Sequence, residues 1–107
     1  MNLAWTYLLA AGLFEIGWPV GLKMAQTPGK TIAGIVLAGA CMVISGYLLY
    51  LAQRHIAMGT AYAVWTGIGA AGTFILCIFL YGDSANAMRI FSVLLIISGV
   101  ILLKLAH

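Results

Sequence analysis

Charge is what this sequence has least of. Only 7% of its 107 residues are Asp, Glu, Lys or Arg, and just two of those are acidic. Soluble chains carry about a quarter charged residues and about half apolar ones, whereas 64% of this chain is hydrophobic. That excludes a water-facing globular domain and makes sense only with lipid as the solvent. Cysteine is scarce as well. Cys41 and Cys77 lie inside apolar runs, with neither metal-ligand spacing nor a disulfide framework, and read as reduced packing residues. The basic residues are scattered singly, so the formal charge of +3 is no nucleic-acid footprint. Their default role is to fix helix ends at the membrane interface. There is no nucleophile–base pair and no metal set, which argues against an enzyme, and no cofactor is implied.

What is present is a succession of apolar runs. A membrane helix needs roughly 20 apolar residues. Spans are expected at about residues 3–22, 31–51, 57–80 and 87–105, making residues 1–107 a single all-α domain of four transmembrane helices. Pro28 and Gly29 break the chain between Lys23 and Lys30. Gln53, Arg54 and His55 form the second turn, and residues 81–86 the third, where Ser84 or Asn86 is placed to cap the last helix. The first span lacks the basic lead-in of a signal peptide and carries Glu15 at its middle, so it is expected to stay in the membrane.

Alternating turns put Lys23, Lys30 and Arg89 on one side, and Arg54, Lys104 and the N-terminal amine on the other. Orientation follows the Lys/Arg excess on the cytoplasmic side, and here that excess nearly vanishes. The bland consequence is a weak preference for one orientation. The sharper one is insertion both ways, so that two oppositely oriented copies pair into an inverted-repeat arrangement. No internal repeat is visible, so such symmetry would come from dimerisation. Four helices are also few to enclose a polar group, which favours an oligomer.

Glu15 is the most informative residue. No basic residue lies within a helical turn of it, and a carboxylate at membrane depth costs several kcal/mol unless neutralised, hydrated or paired. Such a group holds a proton, or releases it and holds a cation, which is the minimum machinery for proton-coupled cation exchange. The competing reading is a protonated, structural glutamate. Trp18 lies one turn on; it is either an interface-belt residue near Lys23 or a wall of a cation site, and position alone leaves the two level. Belt duty is the default for Trp5, Tyr7, Tyr47, Tyr50 and Tyr81, which lie nearer span ends. In the third span Tyr62, Trp65, Thr66 and Gly69 fall on one helical stripe. Aromatic rings at this depth suit a planar cation, while Gly59, Gly67, Gly69 and Gly72 equally suit close helix packing. Ser45 is a lone hydroxyl in an apolar run that either bonds its own backbone or serves a site. Gly17 and Gly21 form a small-residue packing step around Pro19, and Pro19 is placed to disturb the helix just past Glu15. Ser92 and Gly99 share a face of the last span, which otherwise looks like a dimerisation helix.

Over essentially its whole length the chain resembles the small multidrug resistance family of bacterial inner-membrane transporters. The resemblance rests on four spans in about this length, the lone Glu15, and the run GTAYAVWTGIGA over residues 59–70. Glu15 followed by Trp18, WTGIGA at 65–70, Ser84-Ala85-Asn86 and Gly21-Leu22-Lys23 are similar to the guanidinium-exporter subtype. The resemblance implies an antiparallel, dual-topology homodimer in the bacterial inner membrane that exchanges protons for a small cation of the guanidinium class. It implies that Glu15 binds proton and substrate, that Trp18, Ser45, Tyr62 and Trp65 line its site, and that Ser92 and Gly99 pack the dimer. Gly17 and Pro19 depart from the subtype pattern and bear on the shape of the site; Asp83 replaces a glutamate, with little effect expected. Two alternatives stand beside this: a broad exporter of quaternary ammonium and other hydrophobic cations, and a non-transporting subunit of a heterodimer.

Overall fold

The computed structural model describes residues 2–106. Asn2 opens the first helix, its side-chain oxygen accepting the Trp5 N–H at 3.0 Å, a standard N-cap bond. From there α1 runs Leu3–Ala25, past the expected end near Leu22 and straight through Pro19. The chain turns at Gly29, whose φ of 85° suits a residue without a side chain, and α2 follows over Thr31–Ala52. After a short turn, α3 spans Met58–Tyr81 and stops at Gly82, which adopts the left-handed conformation (φ 67°) and returns its N–H to the Cys77 carbonyl. The last helix, α4, covers Ala87–Ala106. Of its two candidate caps, Asn86 is the one used: its Oδ1 accepts the Arg89 N–H at 3.0 Å.

All four helices are long and apolar enough to cross a membrane. At 1.5 Å per residue they are roughly 30–36 Å long, which matches a hydrocarbon core of about 30 Å.

Lipid supplies no hydrophobic drive to pull helices together, so close packing must do it. Glycine is the means. Where α1 crosses α2, Gly21 and Gly34 face each other backbone to backbone, and a β-carbon on Gly21 would meet the Gly34 carbonyl oxygen at 2.7 Å. One turn earlier Gly17 accommodates the Cys41 sulfur. Between α1 and α3, Gly12 receives Ile68 and Gly72 receives Ile16; between α3 and α4, Gly67 receives Val100. The small-residue step at Gly17 and Gly21 therefore faces α2. Gly17 turns toward Cys41 of α2.

One end of the bundle carries a dense core of Trp5, Leu8, Ile56, Ala61 and Val64. Here the belt expectation fails for Trp5, which is only 4% exposed; its ring points inward, and the Lys104 ammonium sits 5.1 Å from the ring centroid. Similar pairs recur at helix ends: Lys23 over Tyr81 (5.8 Å), Arg54 over Tyr50 (5.1 Å) and Arg89 over Phe74 (4.5 Å). Four of the five Lys and Arg residues thus find ring faces. The backbone of α4 approaches only that of α3, and Val93 is the one buried residue of that helix.

Candidate functional site

Glu15 stands near the midpoint of α1, about 15–18 Å from either end at 1.5 Å per residue. Its carboxylate lies three residues before Trp18, on the same face of the helix. The Trp18 indole N–H donates to Glu15 Oε1 at 2.6 Å, a short bond for an N–H donor. Among the described residues this is the only polar side-chain partner of Glu15. Among the described residues no lysine or arginine pairs with it.

What brings the carboxylate to α3 is an absence. A β-carbon on Gly69 would collide with Glu15 Cγ and lie 3.1 Å from its Cβ. Only glycine lets the glutamate side chain cross α3 at this height.

Glu15, Trp18 and Pro19 of α1 form one wall of a groove of about 440 Å³, open along one side; Thr66, Gly69, Ala70, Thr73 and Phe74 of α3 form the other. The Thr66 hydroxyl donates to the Tyr62 carbonyl one turn back, at 2.8 Å, leaving its lone pairs free. Phe74 lines the groove and carries the Arg89 guanidinium on its ring. Arg89 is anchored in turn by donating Nε–H to the Ser84 carbonyl at 2.6 Å. A second crevice of about 230 Å³ between α1, α3 and α4 is lined by aliphatic side chains and glycines and offers a cation nothing.

The aromatic stripe of α3 divides in two. Thr66 and Gly69 face the groove, while Trp65 turns toward α2 and donates its indole N–H to Ser45 Oγ at 2.8 Å. Ser45, 1% exposed, donates its own proton to the Ala11 carbonyl at 2.7 Å. A hydroxyl of α2 therefore ties α3 to α1 one turn before Glu15. Ser45 and Trp65 adjoin the site as this clamp and are not groove walls within one chain. Tyr62 is exposed on the outer face, its ring tilted against Trp65 at 5.5 Å. Ser92 is exposed on α4 and bonds the Met88 carbonyl of its own helix; Gly99 has open space before it.

Thr73, Phe74 and Ala70 were not singled out from the sequence. Extending the stripe one further turn, from Thr66 by seven, reaches Thr73, so the periodicity contained the signal.

The groove thus holds a lone mid-span carboxylate with its own tryptophan as hydrogen-bond partner. Residues 3–96 match the family model described as Small Multidrug Resistance protein. The chain belongs to the small multidrug resistance family. Among its relatives, a guanidinium exporter of Yersinia pseudotuberculosis serotype I (strain IP32953) is 48% identical over 104 residues, covering 97% of this chain and 99% of the relative. Guanidinium exporters of Proteus vulgaris and Escherichia coli (strain K12) are each 45% identical over 104 residues, covering 97% of this chain and 99% and 98% of theirs. This family member is a multi-pass protein of the bacterial inner membrane.

Proposed function

We propose that the protein exports guanidinium or small substituted guanidinium cations in exchange for protons, with Glu15 binding either one or the other. The observation that carries this reading is the Glu15 carboxylate, mid-span in an open groove, with Trp18 as its one polar partner and no basic side chain to neutralise it. Its similarity to guanidinium exporters over nearly the full length supports the substrate class. A guanidinium cation is planar and offers paired N–H donors to a carboxylate; the Trp18 ring beside Glu15 suits its face.

The working unit is an antiparallel, dual-topology homodimer. Support comes from the near balance of Lys and Arg between the two sides, from the open groove, from exposed Tyr62 and Ser92, and from the open space before Gly99. The two Glu15 carboxylates then share one site, and their titrations are coupled. Protons must leave before the cation binds. If only loaded or protonated dimers change their facing, the proton gradient drives the cation out.

The test is guanidinium-driven proton flux in liposomes holding the purified protein. Flux in the wild type and none in Glu15→Gln is expected. Proton-coupled transport retained in Glu15→Gln overturns the mechanism, and flux with quaternary ammonium but not guanidinium moves the substrate class.

A further inference from the structure

Pro19 lies four residues after Glu15, inside α1. In an α-helix the N–H of each residue bonds to the carbonyl four residues before it. The residue at 19 should therefore serve the backbone carbonyl of Glu15. Proline has no N–H, so the residue bearing the carboxylate has lost the helical partner of its own carbonyl. No side chain among the described residues donates to it instead. Glu15 and Pro19 both line the groove.

The other backbone group of Glu15 is firmly held. The Glu15 N–H points at the Ala11 carbonyl by the same helical rule, and Ser45 holds that carbonyl from α2 at 2.7 Å. The two sides of Glu15 thus differ: its N–H end is clamped, and its carbonyl end is an acceptor in need of a donor at a depth where water is scarce.

We propose that the backbone carbonyl of Glu15, released by Pro19, is a second acceptor for the transported cation, making Pro19 a specificity-determining residue that favours N–H-bearing cations over quaternary ammonium ions. This rests on the guanidinium reading above. Guanidinium has three edges of paired N–H groups. The carboxylate takes one edge, and four N–H groups remain to be satisfied inside the membrane. A released carbonyl beside the carboxylate meets one of them, whereas a quaternary ammonium ion has no N–H to give it.

Glu15 is the only glutamate in the chain, so protein made by cell-free synthesis with glutamate carrying carbon-13 at its backbone carboxyl is labelled at this one carbonyl. Infrared spectroscopy of the labelled protein in lipid reads the bond directly. Guanidinium is expected to lower the labelled band in the wild type, and tetramethylammonium to leave it in place. In Pro19→Ala the restored N–H is expected to lower the band before any cation is added, to remove the response to guanidinium, and to raise the KM for guanidinium about tenfold. A band unmoved at saturating guanidinium in a wild type that transports it overturns the proposal, as does an unchanged guanidinium KM in Pro19→Ala. A wild type that neither binds nor carries guanidinium overturns the functional reading itself.

Discussion

Glu15 of α1 and Gly69 of α3 occupy one another's space: the glutamate side chain runs where a β-carbon on Gly69 would stand. The position of the carboxylate is therefore set as much by a missing side chain on α3 as by α1. Gly69→Ala pushes the carboxylate away from α3 while alanine favours the helix. Guanidinium-driven proton flux is expected to fall by about 100-fold, the scale of a 1 Å misplacement at a reacting group, with helical content by circular dichroism unchanged. Flux within twofold of the wild type would show that the close approach does not position the carboxylate.

Trp18 offers a second handle, because its indole has two separable parts. Trp18→Phe keeps a ring in the groove wall and removes the N–H that meets Glu15 Oε1 at 2.6 Å. A hydrogen bond to a charged group is worth about 1.5–3 kcal/mol. The KM for guanidinium is expected to rise roughly tenfold or more as the carboxylate loses its orientation, while Trp18→Ala, which also removes the ring face, costs more still. Equal effects in the two variants would assign the whole contribution to the N–H.

Ser45 carries the clamp between three helices. In Ser45→Ala the Trp65 N–H and the Ala11 carbonyl lose their shared partner. Polar helix–helix bonds in membranes are worth about 0.6–1.7 kcal/mol each, so the midpoint of thermal unfolding in detergent is expected to drop by several degrees. Trp65→Phe removes one bond of the relay and is expected to lower it by less. A wild-type midpoint in Ser45→Ala would remove the clamp from the account.

Glu15 and Trp18 are legible in the sequence because a helix places residues three apart on one face, and an isolated carboxylate among apolar residues has few uses. The four spans follow from length and hydropathy. Ring direction is less accessible. Trp5 lies near a span end, where an interfacial role is the default, yet faces the core, because distance along a span says nothing about rotation around its axis. Trp65 and Thr66 are neighbours in sequence and part company for the same reason, one turning to Ser45 and the other to the groove. Ser45 leaves two readings open at the sequence level, and its cross-helix bonds depend on how α2 is rotated against α1, which the close approach of Gly21 and Gly34 fixes. That approach was visible only as half a pattern, since the partner of Gly21 lies on another helix.

The Thr66 hydroxyl gives its proton to Tyr62, and the Trp18 N–H is taken by Glu15. Among the described groove residues, Thr73 alone keeps a side-chain proton with no protein partner. The few polar atoms that the groove turns outward therefore offer mostly lone pairs. An anion, or a neutral molecule that recognises its host through acceptors, meets almost nothing to grip, while a solute rich in acidic hydrogens meets a surface already oriented toward it. Selection by charge and selection by hydrogen-bond polarity coincide here in one arrangement, reached by turning protons inward without adding any further charged residue to the membrane.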